Sequence, residues 1–118
     1  MIFRTVNDLI GTEREASGDG WKSRRFLLAE DGLPFSVHET TVGAGTELHL
    51  NYQNHSETVY CIQGKASVED VAKNQTLSIE PGTCYSVGIG DEHILRVEKK
   101  AKFLCIFDPA LKGQEEAD

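Results

Sequence analysis

The chain has 118 residues, 39% of them hydrophobic and 26% charged, with a formal net charge of −7. That length supports one hydrophobic core rather than two, and the composition is that of a globular domain. The acidic balance excludes a basic nucleic-acid surface, and no apolar run reaches membrane length. In chain order, Val6–Leu9 suits a helical turn. Strands are predicted at Ser23–Ala29, Ser36–Val42, Glu47–Asn51, Thr58–Gln63, Ala66–Val71, Gln75–Ile79, Cys84–Val87, Ile94–Glu98 and Phe103–Phe107, and Leu111–Ala117 suits a second helical turn. Gly18-Asp19-Gly20, Pro81-Gly82 and Lys99-Lys100 are among the turns between them. Many short strands at regular spacing predict an all-β sandwich or small barrel. The whole chain, 1–118, is expected to form one domain with a short polar, acidic tail from about residue 113. The three cysteines show no CxxC spacing, which suits reduced thiols in a cytoplasmic protein.

Alternation assigns faces, because residues two apart along a strand share one. Leu48, Leu50 and Tyr52 form an apolar set, which turns His49 and Asn51 outward. Glu57 shares its face with Val59 and Cys61, Tyr85 with Val87, His93 with Leu95 and Val97, and Phe107 with Cys105 and Phe103. Glu57, Tyr85 and His93 can therefore all point into one barrel. A lone inward carboxylate is costly unless it is paired or coordinates a cation. A carboxylate, a phenol and an imidazole would make a three-ligand site with open positions, suited to Fe(II), Mn or Zn. Spacing alone slightly favours the simpler account, a hydrogen-bonded Glu–His or Glu–Tyr pair without metal.

His55 precedes Glu57 by two residues and either orients it, serves as acid or base, or is a loop histidine. His38 shares a face with Thr40, which either lines a pocket or meets solvent. Trp21 and Arg25 in GWKSRRFLL would together grip a small organic anion with a flat wall and a bidentate fork. On these residues alone, a Trp21 that caps the barrel and an Arg25 in a surface ion pair are the simpler account.

The stretch from Gly45 to Gly64, with PGTCY and DEH downstream, resembles a degenerate cupin signature. Glu57 and the closing Gly64 keep its spacing, His49-Leu50-Asn51 departs from the usual HxH, and Tyr85 stands where a histidine is usual. GTERE, WKSRR, EDG, FSVHETTVGAGTE, HSETVYCIQG, PGTCYSV, DEHILR and FDPALKG extend the resemblance over almost the whole chain, and it is to the ectoine synthase family. The resemblance implies a cupin-type, jelly-roll-like small β-barrel and iron ligands at Glu57, Tyr85 and His93, with Fe(II) expected and Zn or Mn as alternatives. It implies substrate contacts at Trp21, Arg25, Thr40, Tyr52, Cys105, Phe107 and Glu115, and a functional role for His55. The implied reaction is a hydro-lyase cyclisation of N-γ-acetyl-L-2,4-diaminobutyrate to the osmoprotectant ectoine, with Tyr52 or His55 moving protons. A divergent cupin acting on a related amide, or a binding cupin without turnover, is the alternative. The family chain usually runs further and carries a histidine where Ala117 stands, which implies poorer exclusion of water and slower turnover, or a different substrate. A homodimer acting on a small molecule, with no nucleic-acid or membrane partner, completes the expectation.

Overall fold

The computed structural model describes residues 1–113. Eight strands form the framework. They are β1 (Glu15–Gly18), β2 (Trp21–Leu27), β3 (Ser36–Val42), β4 (Glu47–Leu50), β5 (Ser56–Asp70), β6 (Gln75–Ile79), β7 (Cys84–Val87) and β8 (His93–Asp108). Single 3₁₀ turns occupy Val6–Asp8 and Ala29–Asp31. All pairings are antiparallel.

β5 and β8 organise the fold. They pair with each other from Ser56↔Asp108 to Asp70↔His93, and each is shared between two sets of neighbours. The first half of β5 pairs with β7 and its second half with β6. The late half of β8 pairs with β3 and its early half with β4. The result is a curled jelly roll that resembles the predicted barrel, although its hydrogen-bonded strand order, β1-β2-β3-β8-β5-β6, does not close on itself.

The bend lies where register shifts accumulate between Cys61 and Ala66. Gly64 sits there at φ +98°, and a Cβ on it would stand 2.4 Å from the Lys100 carbonyl oxygen and 2.5 Å from Ala101 Cα. Only glycine combines that backbone conformation with so close an approach. The predicted breaks at Gly64 and Lys99-Lys100 are therefore bends within continuous strands. β1 escapes prediction because EASG has no apolar alternation and is half-exposed to exposed. At the other end, Leu111–Gly113 carries no helix, and 114–117 of the predicted turn lies outside the described residues.

The core fills the space between the halves. Val59, Cys61, Phe103, Cys105 and Phe107 from one face meet Ala66, Val68, Leu95 and Val97 from the other. The alternation that placed Glu57 with Val59 and Cys61 holds: all three are buried, while Tyr60 and Ile62 are exposed. Among the described residues no helix is long and apolar enough to cross a membrane.

Candidate functional site

Inside the curl lies a cavity of about 570 Å³. β2 contributes Trp21, Ser23 and Arg25 to its wall, β3 contributes His38 and Thr40, and β8 contributes Cys105 and Phe107. Tyr52, Glu57 and Tyr85 also line it, as do Leu111 and Gly113 of the C-terminal segment. The indole of Trp21 lies flat on Gly18, where any Cβ would come within 2.4 Å of Nε1.

Arg25 is buried at 6% exposure, so it does not lie at the surface where its local sequence favoured it. Its Nε donates to Ser23 Oγ at 3.2 Å and its Nη1 to the Gly113 carbonyl at 2.8 Å. Gly113 lies 88 residues away. A guanidinium anchored at these points keeps a fixed orientation on the cavity wall.

Glu57 is buried at 6% exposure, and burial pushes its carboxyl up to about 7 against the opposing hydrogen bond from the Cys105 thiol. Burial, followed by the nearby Glu57 charge, raises the Tyr85 phenol and the Cys105 thiol. Tyr52 is raised by burial, Glu57 and Cys105, with Arg25 pulling the other way. Both phenols and the thiol are therefore neutral donors near neutral pH. Cys105 Sγ also lies 3.8 Å from Thr40 Oγ1, which donates to Ser23 Oγ at 3.4 Å. A polar chain thus runs along the wall from Glu57 to Arg25.

His93 is 2% exposed and opens β8 opposite Leu50. Its ring lies 6.4 Å from that of Tyr52, centroid to centroid, and is tilted 40° to it. His93 is not among the residues that line the cavity. Its Nδ1 donates to the Asp91 carbonyl at 2.8 Å, which leaves Nε2 as the lone-pair nitrogen. That Nε2 is buried with no hydrogen-bond partner. No arginine or lysine among the described residues forms an ion pair with Glu57. A buried carboxylate lacking a cation, a neighbouring phenol and an orphaned imidazole nitrogen are chemically suited to a divalent metal. No group of three His, Cys, Asp or Glu side chains able to hold a metal occurs among the described residues, so such a set depends on the Tyr85 oxygen.

Eight of the expected positions, Trp21, Arg25, Thr40, Tyr52, Glu57, Tyr85, Cys105 and Phe107, meet at the cavity. His55 does not line it; it packs edge-on against Phe107 at 6.4 Å and its Nδ1 donates to the Pro109 carbonyl at 2.8 Å. Glu115 lies outside the described residues. Sequence reasoning gave no site role to Ser23 or to the Gly113 carbonyl. It left His38 between pocket and solvent, where the structure places it on the wall at 1% exposure. Its alternation with Thr40 was the available signal.

Residues 1–118 match the family model described as ectoine synthase. The chain is 46% identical over 119 residues to an L-ectoine synthase of Bordetella parapertussis, covering all of this chain and 91% of that protein. It is 43% identical over 120 residues to one from Desulfatibacillum aliphaticivorans, covering all of this chain and 92% of that protein. The crystal structure of ectoine synthase from P. lautus superposes with a TM-score of 0.91 at 37% identity, over 96% of this chain and 81% of that one. A cupin-2 domain from Rhodospirillum rubrum shares the fold alone, with a TM-score of 0.65 at 18% identity over 84% of this chain and 62% of that one.

Proposed function

Since the chain belongs to the ectoine synthase family and is thereby a hydro-lyase, we propose that it closes N-γ-acetyl-L-2,4-diaminobutyrate to ectoine with loss of water. In that reaction the free 2-amino nitrogen attacks the acetamide carbonyl carbon and forms the ring C–N bond. The two protons released by the ring nitrogens pass to the former carbonyl oxygen, and the C–O bond breaks as the ring C=N bond forms, so that the oxygen departs as water.

The observation that carries this reading is Arg25. A guanidinium of 6% exposure, in a cavity also lined by an indole and a buried carboxylate, is a receptor for a small substrate bearing a carboxylate. Held by that end, a flexible chain folds so that amine and carbonyl meet, an effect of up to ~7–11 kcal/mol in ideal cases. Glu57, Tyr85 and His93 would hold Fe(II), with Zn or Mn as alternatives, and the metal when bound would supply a Lewis acid for the poorly electrophilic amide. Between Tyr52 and His55 as the proton donor, placement favours Tyr52, a neutral phenol on the wall, whereas His55 is turned to Pro109. Phe107 and Leu111 keep the enclosure apolar, which favours expulsion of water.

The same reading includes a cytoplasmic homodimer. Tyr60, Ile62 and Ile106 leave apolar surface exposed on the outer faces of β5 and β8, of the kind that a second copy would cover. A monomeric mass in sedimentation would remove that part.

The deciding test is anaerobic incubation of the Fe(II)-loaded protein with N-γ-acetyl-L-2,4-diaminobutyrate, with Glu57→Ala in parallel. Ectoine from the wild type, lost in the variant, is the expected result. No ectoine from folded, iron-loaded wild type would refute the reading.

A further inference from the structure

Behind the cavity wall lies a hydroxyl with two obligations. Ser36 is fully buried at 0% exposure and does not line the cavity. Its Oγ is 3.0 Å from the Leu111 backbone nitrogen and 2.9 Å from His38 Nε2. Both partners belong to the cavity: Leu111 and His38 line it, and the His38 ring stands edge-on to Phe107 at 5.2 Å.

A hydroxyl carries one proton and two lone pairs, and an amide N–H can only donate. The Leu111 N–H therefore occupies a lone pair of Ser36 Oγ. The serine's single proton must itself be placed, because a fully buried hydroxyl without an acceptor is costly. The acceptor in reach is His38 Nε2, so this nitrogen carries the lone pair and the ring proton resides on Nδ1.

The same oxygen fixes the C-terminal segment. Pro109–Gly113 is tied by Ala110 N–H to the Pro34 carbonyl at 3.1 Å, by Ala29 N–H to the Leu111 carbonyl at 2.8 Å, and by Arg25 to the Gly113 carbonyl. The Leu111 amide on Ser36 joins this segment to the first residue of β3.

We infer that Ser36 is a positioning residue for the cavity: through one oxygen it holds His38 as the Nδ1–H tautomer and seats Leu111 against the cavity. It acts only through these two neighbours. The kinetic consequence rests on the reaction proposed above; the tautomer assignment does not.

The experiment is long-range 1H–15N correlation of the 15N-labelled protein at alkaline pH, where the imidazoles are neutral. His38→Gln identifies the His38 signals among those of the four histidines. Wild type is expected to show a protonated Nδ1 and an unprotonated Nε2. An Nε2–H ring would overturn the inference without any variant of Ser36 having to fold. In Ser36→Ala the His38 shifts are expected to move toward the Nε2–H form, and Ser36→Thr, which keeps the hydroxyl, to restore them. For ectoine formation, Ser36→Ala should raise KM roughly five- to tenfold, the scale of one lost hydrogen bond, while kcat stays within about twofold. An unchanged tautomer, or an unchanged KM, would overturn the inference. Absence of ectoine from wild type would instead count against the proposed reaction, since the 15N assignment needs no substrate.

Discussion

Replacing Gly64 by alanine tests how the bend in β5 is built. Two costs add at this position. An L-residue held at φ +98° is strained by roughly 1–2 kcal/mol. The new methyl would also stand 2.4 Å from the Lys100 oxygen and 2.5 Å from Ala101 Cα. Those are backbone atoms of β8, which cannot rotate aside as a side chain would, so overpacking adds about 1–3 kcal/mol. The sum, about 2–5 kcal/mol, is a large part of the ~5–15 kcal/mol that holds a typical domain folded. Gly11→Ala supplies the reference. Gly11 also has positive φ, +78°, but nothing lies within 4 Å of its added Cβ, so that variant carries the strain alone. Urea unfolding of the wild type and both variants, compared at equal slope, gives the two losses. Gly64→Ala should lose clearly more than Gly11→Ala. It should also lower ectoine formation, because relief of the clash shifts the first half of β5, which carries Glu57. Equal losses in the two variants would refute the reasoning, since the contact with β8 would then contribute nothing.

Two other perturbations address the cation on the cavity wall and the ion-pair knot near the N-terminus. Arg25→Lys keeps the charge but loses the fork that reaches Ser23 Oγ and the Gly113 carbonyl together, so KM for the diaminobutyrate substrate should rise at least about tenfold with a smaller change in kcat; steady-state kinetics decides, and an unchanged KM would remove Arg25 from substrate binding. Asp31 is pushed up by burial, but hydrogen bonds from Arg4, the Leu28 N–H and Arg14 outweigh this and hold its carboxyl at about 2. A depressed folded-state value stabilises above the unfolded value near 4 and is lost as pH falls through about 2. The advantage of wild type over Asp31→Asn should therefore be about 1–2 kcal/mol near neutrality, after allowance for solvent screening. It should shrink between about pH 4 and 2 when followed by denaturant unfolding. An advantage constant across that range would mean the carboxylate's charge is not its source.

The sequence by itself determined the class of the fold and which residues share a strand face. β3, β6 and β7 run as predicted, Ser36–Val42, Gln75–Ile79 and Cys84–Val87, because short runs with β-branched or aromatic residues bounded by turn residues are a local signal. That Glu57 shares a face with Val59 and Cys61 follows from a two-residue period. Both faces of that strand are apolar in sequence, however, and only the structure decided which is buried. The family resemblance supplied the positions that meet at the cavity. Only the tertiary structure decided that Gly64 and Lys99-Lys100 bend continuous strands, since a bend and a turn use the same residue types and differ in what crosses them. Only it turned His55 toward Pro109 and left His93 Nε2 without a partner. Arg25 shows the reason most plainly. Its neighbours Lys22, Ser23 and Arg24 read as a polar surface strand, and one partner of its buried guanidinium, the Gly113 carbonyl, lies 88 residues along the chain, where no local pattern reaches.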